Sequence, residues 1–69
     1  MTRILLGVRG MDTPAAAERV RRTLALVTGV ASVEANADGQ ATVEYDDSET
    51  TVMDLIRSLR RIGFLAGME

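Results

Sequence analysis

The sequence predicts an α+β fold in which strands and helices follow one another as β-α-β-β-α-β. Three observations predict it. Apolar residues alternate with polar ones in several segments, which is typical of half-buried strands. In two further segments they recur every third or fourth position, as on the buried face of a helix. Between two strand segments stands Asp38-Gly39, which indicates a tight hairpin because its turn needs a residue with positive φ.

The first half of the chain predicts a strand, a loop and a helix. Residues 3–9 form the strand, with Ile4, Leu6 and Val8 facing the core. Residues 10–13 form the loop. The helix covers residues 14–27, because Pro14 suits a first helical turn and Asp12 or Thr13 offers a capping oxygen. Its predicted buried stripe is Ala16 or Ala17, Val20, Leu24 and Val27, and its exposed side includes an ion pair between Glu18 and Arg22.

The second half predicts a hairpin, a helix and a last short strand. The two hairpin strands turn Ala31, Val33, Ala35, Ala41, Val43 and Tyr45 inward. The helix covers residues 51–62, where Thr51 and Asp54 have capping-box spacing. Its buried stripe is Val52, Leu55, Ile56, Leu59 and Ile62. Residues 64–66 form the last strand, and residues 67–69 are expected to fray.

Each half places one helix on the same face of a four-stranded antiparallel sheet. The predicted architecture is therefore an open-faced βαββαβ sandwich, which is the ferredoxin-like arrangement. The chain has 69 residues, about half the usual domain length, so residues 1–69 are expected to form a single domain.

Composition excludes several classes of function. The chain has no histidine and no cysteine. A zinc finger, a thiolate or imidazole metal site, a cysteine nucleophile and a Ser-His-Asp triad are therefore excluded. Eight arginines against ten acidic residues leave a net charge of −2, which predicts no general attraction to nucleic acid or to a membrane surface. No apolar run approaches the ~20 residues of a membrane span, and a cytoplasmic location is the default expectation.

Five short segments occur in an order and at a spacing that are typical of a known family. They are Gly10-Met11, the helix positions Val20 and Leu24, TGVASV at 28–33, GQATVEYD at 39–46 and IGFLA at 62–66. Together they resemble the heavy-metal-associated domain family of small copper chaperones, the bacterial mercury-binding protein and the N-terminal modules of metal-pumping ATPases. The resemblance covers nearly the whole chain and implies a metal-binding loop after Gly10-Met11.

The family's metal ligands are absent from that loop. Its two cysteines, in a CxxC motif, correspond to Thr13 and Ala16. Paired thiolates bind Cu(I) because soft ligands suit a soft ion, whereas a hydroxyl is a poor ligand and a methyl group is none. The residues left for a metal are Met11, Asp12 and Thr13, a mismatched set that implies poor affinity. The family's Gly-Met methionine packs beneath the loop, so we expect Met11 mainly in the core.

These residues favour a metal-independent interaction or accessory module of metal trafficking, with no cofactor. The expected partner is another protein. It would bind the loop of residues 10–16, from Gly10 to Ala16, or the basic outer face of the two helices. That face contains Arg19, Arg21, Arg22, Arg57, Arg60 and Arg61. The chain itself is expected to be a monomer or a weak homodimer, since the edge strands of a small sheet can pair between subunits.

Two alternatives remain open, and two classes of function are not expected. The chain is alternatively a weak or atypical metal-binding protein that uses residues 10–16, or a dimeric regulatory domain for a small ligand. RNA binding needs exposed stacking aromatics, and both aromatics, Tyr45 and Phe64, are expected in the core.

An enzyme is not expected either. Acylphosphatases share the topology, and Arg9 and Asn36 are present, but residues 10–13 lack their glycine-rich phosphate cradle.

Overall fold

The computed structural model describes residues 1–68 and has the predicted order of elements. The elements are β1 (Thr2–Arg9), α1 (Pro14–Ala25), β2 (Val30–Ala35), β3 (Gln40–Tyr45), α2 (Val52–Arg61) and β4 (Leu65–Met68). The strands form one sheet in the order β2-β3-β1-β4, and all neighbouring strands are antiparallel. The helix α1 packs against β2, α2 packs against β4, and the helices contact each other. The ferredoxin-like α+β prediction is confirmed.

The core lies between the inner face of the sheet and the two helices. Val43 on β3 lies opposite Ile4 on β1 and Val33 on β2, so the three strands present their apolar positions in register. The side chains that are completely buried there are Leu6, Val20, Leu24, Ala41, Val43, Leu55 and Leu59. Tyr45 and Phe64 are also buried, as the sequence predicts. Complete burial of a leucine or valine side chain, as at Leu24 or Val43, stabilises the fold by about 1.5–3 kcal/mol.

The loop of the hairpin between β2 and β3 consists of residues 37–39, because Asn36 and Gln40 are hydrogen-bonded across its base. The Asn36 amide donates to the Gln40 carbonyl at 3.0 Å, and the Gly39 amide donates to the Asn36 carbonyl at 3.2 Å. Gly39 has φ of 92°. A type I turn followed by a left-handed residue is the usual form of such a loop, and glycine adopts this φ without strain.

The predicted inward direction of Ala31 is wrong. Val30 pairs with Tyr45 and Ser32 pairs with Glu44, so Ala31 is an extra residue in a bulge of β2. A bulge shifts the alternation of side chains by one residue. As a result Ala31 is exposed, and Val30 packs against the core in its place.

Several predicted boundaries also differ from the structure, most of all at the end of α1 and at the last strand. The helix α1 ends at Ala25 instead of residue 27, because the Val27 amide donates to the carbonyl of Leu24, three residues back, and closes the last turn. The last strand begins at Leu65 and continues to Met68, where pairing of Met68 with Leu6 holds the predicted frayed end in the sheet. Glu69 lies outside the described residues. No helix in the described part of the chain is long and apolar enough to cross a membrane.

Candidate functional site in the loop between the first strand and the first helix

Residues 10–13 connect the end of β1 to the start of α1, and two residues fix their path. Gly10 has φ of +94°, and a Cβ atom there would lie 3.3 Å from Cδ1 of Phe64. The absence of a side chain therefore lets the loop turn and pass close to the Phe64 ring. Met11 is only 1% exposed and belongs to the core cluster, as expected for a residue that packs beneath the loop.

The positions that correspond to the family's cysteines are joined by a helix cap. Thr13 is the N-cap of α1, and its Oγ1 accepts a hydrogen bond from the Ala16 amide at 3.1 Å. Pro14 occupies the first helical turn, where its missing N–H leaves no helix bond unmade. Of the two predicted capping residues, Thr13 is the one that caps. The Thr13 hydroxyl thus satisfies an otherwise unpaired backbone donor.

The side chains of the predicted metal site do not share one surface. Asp12 and Thr13 are exposed at the loop, whereas the Met11 side chain is enclosed by the core. Ala16 contributes only a half-buried methyl group. Within residues 1–68, no three acidic side chains come close enough together to hold a metal ion. The assignment of Met11, Asp12 and Thr13 as metal ligands stays a prediction.

The positively charged side chain of Arg19 lies beside the loop, and its contact with Phe64 is not predicted from the sequence. The guanidinium carbon of Arg19, on α1, lies 5.8 Å from the centroid of the Phe64 ring. This is within the range of a cation–π interaction. Phe64 thus lies close both to the glycine of the loop and to an arginine of α1. Arg19 and Phe64 are far apart in the sequence, so no local pattern predicts their contact.

The exposed side of α1 contains a carboxylate held by two arginines. Glu18 forms the predicted pair with Arg22 at 3.5 Å, but its closest partner is Arg21, with distances of 2.6 and 2.8 Å to the two carboxylate oxygens. The hydrogen bonds from Arg21 lower the pKa of Glu18 from 4.5 to about 2, with help from the charges of both arginines. The same pairing raises the pKa of Arg21. Glu18 therefore neutralises part of the basic face.

A groove with basic rims runs between the two helices. Two adjoining depressions of about 400 and 290 Å³ share Thr23 and Ile62, which form its floor. Its rims and its far end include Arg19, Arg22, Arg61 and Leu26. Glu18, which pairs with Arg22, also lines the groove, so three arginines stand against one carboxylate there. Leu26 is 82% exposed, and the Arg22 side chain is 73% exposed. The groove therefore offers positive charge beside an uncovered apolar side chain. We call it the helix groove.

The comparisons with known proteins agree with this geometry. The model of the family described as heavy-metal-associated domain matches residues 5–64. A search of curated protein sequences found no significant match.

Three solved structures illustrate the similarity of fold. Oxidized MerP from Ralstonia metallidurans CH34 is 28% identical, with a TM-score of 0.93 over 99% of this chain and 96% of that one. A copper binding domain from HMA7, a P-type ATPase, is 27% identical, with a TM-score of 0.95 over 100% and 95%. The CopZ metallochaperone is 28% identical, with a TM-score of 0.89 over 96% and 100%.

Proposed function

The chain belongs to the heavy-metal-associated domain family, and from this premise we propose that it is a metal-independent interaction module of metal trafficking. The observation that carries the proposal is the cap at the start of α1. Thr13 Oγ1 accepts from the Ala16 amide, so the two positions that hold thiolates in the family serve the helix here. Neither side chain is a ligand that suits Cu(I).

The loop keeps the features that shape it and lacks those that bind metal. Gly10 still passes Phe64, and Met11 still fills the core beneath the loop. A surface of this shape suits contact with the same partners that the family's loops meet. The chain has no cysteine, however, so it cannot exchange a metal ion between two thiolate pairs. The proposed activity is therefore binding to a partner protein, without catalysis.

The helix groove is the proposed docking surface. Arg22 and Arg61 line its rims, and Leu26 offers an apolar side chain for a partner to cover. Charge complementarity favours an acidic partner surface with an apolar residue beside its charges, because exposed charges steer encounter and a covered apolar side chain stabilises the complex. Similar structures include a metallochaperone and a domain of a P-type ATPase, so we propose a component of such machinery as the partner.

The remaining expectations belong to the same proposal. Residues 1–69 act as one module, in the cytoplasm, and without a cofactor. A metal role for Met11, Asp12 and Thr13 is the alternative to be tested against it. The metal titration at the end of the Discussion separates the two.

The docking surface is tested by titrating the ¹⁵N-labelled chain with the metal-free, cysteine-bearing domain of a copper-transporting P-type ATPase from the same genome. We expect amide shifts at residues 10–16 and along the helix groove. The triple variant R19Q/R22Q/R61Q should weaken binding at least about tenfold, since three charged contacts are removed.

The matched control is R3Q/R9Q, which removes two exposed arginines from β1 on the outer face of the sheet. Its affinity should stay within about twofold of the wild-type value, apart from the change in net charge. Equal weakening by both variants, or shifts that map to the sheet, would contradict the helix groove as the docking surface.

A further inference from the structure

The two edges of the sheet differ in how well they are protected. The edge strand β2 contains the bulge at Ala31 and an exposed charge at Glu34. Bulges and charged side chains are the usual means by which an edge strand is kept from pairing with another chain. The other edge strand, β4, pairs regularly with β1 and contains no charged residue between Leu65 and Met68. Its free side is therefore an open template for a further strand.

The outer face of the sheet has a gap beside this open edge. Gly67 on β4 lies opposite Gly7 on β1, so neither residue places a side chain there. A Cβ atom at Gly67 would meet no heavy atom within 4 Å. An open depression of about 570 Å³ covers these two glycines, and Leu65, Arg9 and Asp38 lie along its border. We call this gap the glycine trough.

A projecting side chain lies two residues away on the same strand and the same face. Leu65 pairs with Arg9, which points outward like Gly7, so Leu65 and Gly67 share the outer face. Leu65 is 56% exposed. On the outer face of the sheet, the edge strand therefore presents one apolar knob, Leu65, and one empty hole, at Gly67, with Ala66 between them.

We propose that β4 pairs with the β4 strand of a second copy of this chain, antiparallel and centred on Ala66. In that register each Leu65 lies directly opposite Gly67 of the other copy, and directly opposite residues in an antiparallel pair point to the same face. Each leucine then fills the glycine trough of its neighbour. The pairing is two-fold symmetric, so it closes with two copies and extends the sheet from four strands to eight.

A second copy fits this edge better than an unrelated segment does. A two-fold axis at Ala66 brings Leu65 of each copy onto Gly67 of the other, so one strand supplies both halves of the contact. The centre of the pair is the small side chain of Ala66, and Leu65–Met68 brings no charge to the contact. The paired strands have four residues each, so the interface is small and the dimer is weak. The helix groove takes no part, and this inference is independent of the proposed docking surface.

Sedimentation equilibrium of the full chain, from about 20 µM to about 2 mM, tests the proposal. We expect the average mass to rise from monomer towards dimer over this range. In a parallel ¹⁵N dilution series, concentration-dependent shifts should be confined to β4 and to its partners on β1. A monomer at every concentration, or shifts confined to β2, would overturn the proposal.

Two single variants and their mixture test the register. Leu65→Gly removes the knob and leaves two holes, whereas Gly67→Leu leaves two knobs and no hole. Both positions are exposed, and the open space at Gly67 accepts a side chain, so both variants should fold. Each alone should dimerise at least about fivefold more weakly than wild type. An equimolar mixture should recover heterodimer, because knobs then face holes.

Leu5→Ser is the matched control, since it removes another exposed leucine from the outer face of β1. It should leave the dimerisation constant within about twofold of wild type. If Leu5→Ser weakens the dimer as much as Leu65→Gly, the association is non-specific. If the mixture associates no better than its components, the register centred on Ala66 is wrong.

Discussion

The apolar core of the sheet and helices, here called the frame, and the start of the first helix differ in which residues typical of the family they retain. The frame keeps the apolar positions that the fold needs, and Leu24, Val43 and Leu59 are completely buried. At the start of α1 the pattern stops, because Thr13 and Ala16 stand where the family has its ligands. The contrast teaches that the fold and the metal ligands of this family depend on separate residues. A chain can therefore lack the ligands and keep the fold.

The largest effect is expected in the frame. Leu59→Ala removes a completely buried side chain of α2, and we expect a loss of about 3–5 kcal/mol in the free energy of unfolding. Urea unfolding followed by circular dichroism measures it. The control Leu26→Ala changes a leucine that is 82% exposed and should alter stability by less than about 0.5 kcal/mol. Similar losses in both variants would break the contrast between frame and surface.

A smaller effect is expected at the loop. Thr13→Ala removes the hydroxyl that caps α1 and should destabilise the fold by about 1 kcal/mol. The amide of Ala16 should also lose protection from hydrogen exchange. Thr28→Ala, at another exposed threonine, serves as the control and should be near neutral. An unchanged stability of Thr13→Ala would mean that the hydroxyl is not committed to the helix.

The smallest effect concerns the exposed carboxylate of α1. Because the folded-state pKa of Glu18 is lowered to about 2, its contribution to stability is present above pH 4.5 and is lost as the pH falls towards 2. Arg21→Gln should raise the pKa of Glu18 towards 4.5, as measured by NMR titration of its carboxyl carbon. Arg22→Gln, at a partner 3.5 Å away, should raise it less. The opposite ranking would make Arg22 the main partner.

Local patterns in the sequence predict most of the frame and the cap of the loop. The alternation in β1 and β3, the stripe of α2 and a cap at Asp12 or Thr13 depend on residues that are close in the chain, so their spacing alone indicates them. The choice of Thr13 over Asp12 comes from the structure. The bulge at Ala31 and the full length of β4 depend on how distant strands pair, which spacing does not specify. The contact of Arg19 with Phe64 and the glycine trough likewise arise only when segments far apart in sequence are brought together.

The most direct test of a metal-independent module is an anaerobic Cu(I) titration of the ¹⁵N-labelled chain beside the variant T13C/A16C. The variant restores a thiolate pair at the helix N-terminus, which favours the ionised thiol. We predict one saturable equivalent of Cu(I) for the variant, with shifts at residues 10–17, and none for the natural chain at several-fold excess. A strong saturable shift of residues 10–17 in the natural chain would contradict the account and would assign a metal role to Met11, Asp12 and Thr13.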